Sequence, residues 1–424
     1  MKRSLALATL VNVVLYTAIA RAQGLPTAKP EDVGLSSERL ERVTRALQSE
    51  IEAGKIPGAV ALVARKGRIV YFESLGLRDK ASGDPMSRDA IFRLYSMTKP
   101  FTSVAAMMLM EEGRFLLTEP ISKFLPQLAK REVSIQQFDP ATGKGGYVVV
   151  AAEREITIQD LLRHTSGIVY GGFTPNARIK ELYEKGGVNW TDVTPAEQIE
   201  RLSRVPLAHQ PGTTWEYSLS TDVLGRVLEK VSGVTLDRLF EERIFAPLRM
   251  ADSAFVVPKD KVRRLAQPLA VEPSTGEPIK LLDVTVPPKN DAGGAGAAST
   301  TADYARFLQM LLNGGQLDGT RLLSPTTVAF MTSDHLGTMK IVPLGGVGTG
   351  YGFGLGFAVR TQPGIAGVSG SVGEYRWGGA AGTAFWVDPK EEMISVLMTQ
   401  GAPGLARGYT TALFRQMVRQ AVVD

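Results

Sequence analysis

The strand patterns of this chain lie at its two ends, with a long helical stretch between them. Residues 58–65 and 68–73 are rich in aliphatic and aromatic side chains and flank Lys66-Gly67, which reads as a β-hairpin with that pair at the turn. The other strong strand-like runs, 351–359, 374–378, 383–387 and 393–398, come near the C-terminus. An amphipathic helix over 36–53, capped by Ser36 with Leu40, Val43, Leu47 and Ile51 on one stripe, precedes the hairpin. A closing helix over 405–422 follows the last strand. Between them, helical patterns cover 157–163, 194–202, 221–232, 236–245, 300–313 and 324–332, with a β-like excursion over 145–156. This order predicts an α/β lobe built from both ends of the chain, with a mainly helical lobe inserted. The expected boundaries are 23–95 plus 296–424 for the α/β domain and 96–295 for the helical domain, with the active site between them.

Composition narrows the setting. Hydrophobic residues make up 44% and charged residues 21%, as in a protein with a sizeable core. Residues 1–22 read as a secretory signal, with Lys2 and Arg3, an apolar run from Leu5 to Ala20, and Ala20-Arg21-Ala22 as the cleavage site. The alternative is an uncleaved anchor helix, against which stand the shortness of the run and its interruption by Asn12. The formal charge of +5 falls to +2 once Lys2, Arg3 and Arg21 of this segment are set aside. A nearly neutral chain without basic blocks gives no electrostatic argument for a nucleic-acid partner. No later stretch has the ~20 apolar residues needed to span a bilayer. The chain has no cysteine, so a thiol nucleophile and a thiolate metal site are excluded. The expected location is the periplasm or the medium.

Three motifs carry chemistry. The first is Ser96-Met97-Thr98-Lys99, where a strand-rich segment gives way to an apolar helix that runs to Glu112 and stops at Gly113. On a helix, residues three apart share a face. A serine hydroxyl needs a base within hydrogen-bond reach, and a partly desolvated lysine amine can serve. The second is Pro211-Gly212-Thr213-Thr214-Trp215-Glu216-Tyr217-Ser218, a fixed loop that presents Tyr217 as a proton carrier beside a lysine. The third is Glu374-Tyr375-Arg376-Trp377-Gly378-Gly379-Ala380, where glycines let a strand edge approach a substrate and a free N–H complete an oxyanion hole with Ser96.

In this order the motifs resemble the serine β-lactamase/penicillin-binding-protein-like hydrolases, most closely the class C-like branch that includes family VIII carboxylesterases. Leu161-Leu162-Arg163-His164-Thr165-Ser166-Gly167, Asp222-Val223-Leu224-Gly225 and Ser299-Thr300-Thr301-Ala302-Asp303-Tyr304 support the likeness, which spans roughly residues 30–420. It implies an α/β lobe with an antiparallel sheet flanked by helices, an inserted helical lobe, Ser96 as acylated nucleophile, Lys99 as general base and Tyr217 as proton relay. It implies no cofactor and no metal. The oxyanion donors are then the N–H groups of Ser96 and Ala380 or Gly379. Trp377, Gly378, Tyr95 and Leu219 are expected to contact substrate.

Two departures shift the substrate. Tyr217-Ser218-Leu219 stands where the family carries Tyr-x-Asn, and Trp377-Gly378-Gly379 where it carries Lys-Thr-Gly. Loss of the amide and of the cation weakens recognition of an anionic β-lactam or D-Ala-D-Ala terminus and favours a neutral, short-acyl ester. Lys144-Gly145-Gly146 imitates the third motif but precedes Tyr217. Strand alternation turns Arg376 away from Trp377. The three histidines, His164, His209 and His335, lack metal or triad spacing, and His164 reads as a brace of the helical lobe. The competing readings are a β-lactamase or D-amino-acid peptidase with the same nucleophile, an acyltransferase to an alcohol, and a non-catalytic binder.

Overall fold

A central strand must be apolar on both faces, because each face packs against another layer. Gly58–Arg65 (β1) meets that demand, being buried throughout. It pairs with Arg68–Asp79 (β2) on one side and, across more than three hundred residues of sequence, with the C-terminal strands on the other. The computed structural model describes residues 24–138, 145–343, 347–401 and 405–424. The signal expected over 1–22 and Lys144 therefore lie outside the described residues. With Asp84–Pro85 (β3), Tyr351–Phe353 (β4), Ala358–Arg360 (β5), Tyr375–Gly378 (β6), Ala384–Asp388 (β7) and Met393–Met398 (β8), the sheet has the order β4-β5-β6-β7-β8-β1-β2-β3, antiparallel at every described pair.

The period of two along β1 divides the core. Ala59, Ala61 and Val63 face the helix Ser37–Glu52 (α1) and the closing helix, packing with Leu40, Val43, Leu47, Phe414 and Val418. Val60, Leu62 and Ala64 face the other way, into a larger core that takes in most of the helical region. That region comprises Lys99–Glu111 (α2), Ile158–Leu162 (α3), Ala177–Lys185 (α4), Pro195–Ser203 (α5), Ser220–Ser232 (α6), Leu236–Phe240 (α7), Thr301–Leu312 (α8) and Pro325–Met331 (α9). The chain ends on Leu405–Arg419 (α10). Phe101 of α2 sits in a ring of Phe240, Phe245, Tyr304 and Phe307, with centroids 4.6–6.1 Å away. Helical and sheet layers thus share one continuous core. No helix among the described residues is long and apolar enough to cross a membrane.

Four local differences from the sequence-based expectation have physical causes. The run 351–359 is two strands, because Gly356 turns the chain with φ +105°. A Cβ at Gly354 or Gly356 would stand 2.4 Å from Met331 O or 2.3 Å from Ser103 Oγ. The segment 236–245 is α7 followed by one π-helical turn. The excursion at 145–151 pairs with Glu132–Phe138, a strand whose outward face hides its pattern. Helix α4 starts on an Asn176 cap, in a stretch read as connection.

Candidate active site

Sequence places Ser96 at the junction of strand and helix, and the fold holds that junction firmly. Ile91–Arg93 pairs with Ala298–Thr300, and Leu94 N–H donates to Ala297 O at 2.9 Å. Tyr95 then takes a left-handed backbone, φ +46°, which is rare for a bulky residue. Its hydroxyl accepts the Leu282 N–H at 2.8 Å and its ring meets Trp190 edge-on, so its surroundings fix that conformation. Tyr95–Thr98 forms a 3₁₀ turn that runs directly into α2, with Pro100 tolerated in the first turn. Ser96 and Lys99 therefore lie one helical turn apart.

Lys99 is 1% exposed, and its ammonium group has three partners. Nζ lies 2.8 Å from Gly294 O, 3.1 Å from Tyr170 Oη and 3.4 Å from Ser96 Oγ. Tyr170 donates to Asp222 Oδ2 at 3.4 Å, while Asp222 Oδ1 accepts the Gly294 N–H at 3.0 Å. Burial pushes the Tyr170 hydroxyl well above its usual range, so it stays protonated. Burial also raises the Asp222 carboxyl, which the Lys99 charge opposes. With Tyr170 committed to donating toward Asp222, its lone pairs face Lys99. Two N–H directions of Lys99 are thus taken by Tyr170 and Gly294, and the third direction points at Ser96.

On the opposite side of Ser96, the Tyr217 hydroxyl donates to Oγ at 2.6 Å. Its ring is gripped by Tyr170, Trp377 and His164, with centroids 5.0–5.3 Å away, and Lys99 Nζ lies 4.7 Å from its centre. His164 braces this loop. It is buried with φ +57°, its Nδ1 lies 2.8 Å from Ser218 Oγ, and Glu216 N–H donates to its carbonyl. Ser218, Ser220 and Ser166 continue a chain of hydroxyls at 2.7 Å steps.

Burial, with help from Lys99, holds the His164 ring well below its usual pKa and so neutral. The unfolded chain titrates this ring near 6.5, taking up a proton that the folded state refuses, so stability drops as pH falls below that value. His164→Asn, which suits a left-handed backbone, should flatten this loss by up to ~1.4 kcal/mol per pH unit. Asp303 and Asp291, each pushed up to about 6 chiefly by burial, act in the opposite sense and cancel in the comparison. Urea unfolding of both proteins at pH 7, 6 and 5 checks it; parallel pH dependences would contradict it.

The third motif closes the site from the sheet edge. Of the two residues named for the oxyanion hole beside Ser96, Gly379 spends its N–H on Thr383 O at 2.7 Å. The N–H groups of Ala380 and Ser96 have no acceptor among the described residues. Gly379 is needed for close approach: a Cβ there would lie 2.1 Å from Leu94 O, two residues before Ser96. Trp377 is 5% exposed and packs on Tyr217 and Phe353, and Gly378 is half-buried beside it. Arg376 lies on the other face, its guanidinium 4.6 Å from the Tyr351 ring centre. Leu219 is 2% exposed, packed in the core at the start of α6.

A family model described as beta-lactamase matches residues 43–416. The chain belongs to that family. This β-lactamase-family protein has the β-lactamase/transpeptidase-like fold, and its relatives divide among several activities. It is 35% identical over 371 residues to the Mycobacterium tuberculosis protein Rv1367c, covering 85% of this chain and 90% of that one. It is 31% identical to esterase EstB of Burkholderia gladioli, covering 92% and 96%. Among solved structures, EstCE1, a hydrolase with promiscuous acyltransferase activity, superposes with a TM-score of 0.72 at 28% identity, covering 91% and 99%. Relatives at lower identity include an acyltransferase and a putative D-alanyl-D-alanine carboxypeptidase.

Sequence reasoning missed Tyr170, Asp222 and Gly294. Asp222 stands in the run Asp222-Val223-Leu224-Gly225 that supports the family likeness, with no role of its own drawn from it. Its burial on an apolar helix was the available signal. Tyr170→Phe keeps the ring and removes the Lys99 acceptor, so kcat on an ester should fall about five- to tenfold, one hydrogen bond's worth, with little change in KM. Steady-state kinetics check this; a kcat within twofold of the parent would contradict it.

Proposed function

We propose that this β-lactamase-family protein is an exported serine carboxylesterase that cleaves neutral, short-acyl esters through an acyl-enzyme on Ser96. The observation that carries the reading is Ser96 Oγ held between Tyr217 and Lys99, with Trp377 filling the position where the family carries a lysine. The ester carbonyl oxygen binds at the Ser96 and Ala380 N–H groups. Ser96 attacks the carbonyl carbon and its proton passes to Lys99 acting as the neutral amine, the form left when the resting ammonium gives up the N–H directed at Ser96. Tyr217 delivers a proton to the departing alkoxide, and later takes one from the water that releases the acid. The substrate is a small-molecule ester, with no cofactor required. Export rests on the Lys2-Arg3 start, the apolar run and the Ala20-Arg21-Ala22 site.

A panel of p-nitrophenyl esters of graded acyl length, one cephalosporin and one D-Ala-D-Ala peptide tests the substrate class. The expected kcat/KM for a short ester exceeds that for the other two by about 100-fold or more, the scale on which a missing charge partner discriminates. A cephalosporin turned over faster than every ester would overturn the reading. The acyltransferase alternative is favoured if an added alcohol captures most of the acyl group in place of water.

A further inference from the structure

The turn that hands Lys99 its carbonyl also forms part of a cavity that no step above uses. Ala295 and Gly296 N–H groups both return to Ala292 O, at 3.1 and 2.8 Å, so residues 292–296 make one tight turn. Gly294 O faces Lys99, while Ala292 and Gly296 line a cavity of about 340 Å³. The cavity is also bounded by Trp190, whose ring touches Tyr95, and by Leu282, whose N–H is bonded to the Tyr95 hydroxyl. It therefore lies just beyond the residue that precedes Ser96. Phe255, Val284 and Pro288 complete a mostly apolar wall. The volume sits at the small end of the range for small-molecule sites.

Thr191, Asp192, Asp283 and Lys289 also line it, half-buried or exposed, and Asn290 is the polar lining side chain that is buried. Asn290 is 6% exposed, and neither Nδ2 nor Oδ1 of its amide has a hydrogen-bond partner among the described residues. Buried amides are nearly always bonded, because leaving them unpaired costs free energy. The charged residues that line the cavity are exposed and have partners of their own. Lys289 pairs with Asp192 at 2.5 Å, and Asp283 Oδ1 accepts the N–H and hydroxyl of Thr285. The buried hydrogen-bonding capacity left unspent in this wall is that of Asn290, which can both donate and accept.

We propose that this cavity receives the acyl chain and that Asn290 selects chains carrying an oxygen function, a ketone, hydroxyl or amide, over plain hydrocarbon chains. The inference rests on the esterase reading. Tyr217 touches Ser96 Oγ and protonates the departing alkoxide, so the alcohol half leaves on the Tyr217 side. The acyl half extends the other way, past Tyr95. A ketone oxygen takes the Nδ2 hydrogens of Asn290, and a hydroxyl donates to Oδ1.

The test compares p-nitrophenyl pentanoate with p-nitrophenyl 4-oxopentanoate on the parent enzyme and on Asn290→Leu, a change of similar size that removes both polar atoms. The parent should favour the oxo ester in kcat/KM by about tenfold or more, and the variant should bring the ratio to one or below. Acetyl esters of different alcohols serve as the second series, and their ranking should be the same in both proteins. Equal rates for the two acyl chains on the parent would overturn the assignment, whatever the variant's fold. So would a variant that keeps the ratio, or one that reorders only the alcohol series. If neither ester is cleaved, the esterase reading itself fails; if both are cleaved equally, only the role of Asn290 falls.

Discussion

Replacing Ser96 by alanine lowers ester turnover by about 10³-fold or more and leaves the fold intact. The size of the loss follows from the role proposed for Ser96: without Oγ no acyl-enzyme would form, and the remaining rate would come from the proposed oxyanion donors acting on water. The intact fold follows from where it sits. Ser96 is half-buried in a 3₁₀ turn, its side chain fills no core space, and alanine suits a helical backbone. Lys99 and Tyr217 each lose one acceptor at a half-buried position, where water can replace it, so stability should change by no more than about 1 kcal/mol. Initial rates on p-nitrophenyl butyrate and a thermal melt check both halves. Activity within tenfold of the parent would remove Ser96 from the chemistry; an unfolded variant would show that it has a structural role not evident from its contacts.

Lys99→Met removes the proposed base and should cost about 10³-fold in kcat, within the range of a positioned proton acceptor. It also has a signature in stability that Ser96→Ala lacks. Burial already raises the Asp222 carboxyl, and the Lys99 charge is the largest opposing influence. Without that charge the folded-state pKa of Asp222 rises further above its unfolded value. A carboxyl raised on folding contributes stability that is present at low pH and lost as pH climbs toward its folded value. Lys99→Met should therefore be closest to the parent in melting temperature at acidic pH and fall progressively below it toward pH 8. A constant gap between parent and variant across pH 5 to 8 would show that Lys99 and Asp222 are not coupled.

How much of this was legible in the sequence depended on the range of the interactions. Ser96 and Lys99 are three residues apart on one helical spiral, and spacing alone brings them together. The α1 stripe and the β1 hairpin are local patterns too, and both stand where expected. Tyr217 is announced by a proline-glycine turn and a run of aromatics. Tyr170 and Gly294, by contrast, reach Lys99 from 71 and 195 residues away, through backbone paths that no local period encodes. The proposed oxyanion partner of Ser96 is Ala380 or Gly379 from sequence alone, and what separates the two is a single hydrogen bond from Gly379 N–H to Thr383 O. The run 351–359 reads as one strand, and its glycines divide it in two by letting the chain turn against Met331 and Ser103. Asn290 gave no signal, since an asparagine in a loop rich in proline and glycine is expected at the surface and here it is buried.

The central claim is that Ser96 is the acylated nucleophile, and covalent labelling tests it most directly. The purified protein is incubated with a fluorophosphonate, and its intact mass and proteolytic peptides are measured. One adduct per chain, on the peptide carrying Ser96 and absent from Ser96→Ala, is the predicted result. No adduct, or an adduct that persists in Ser96→Ala, would contradict it.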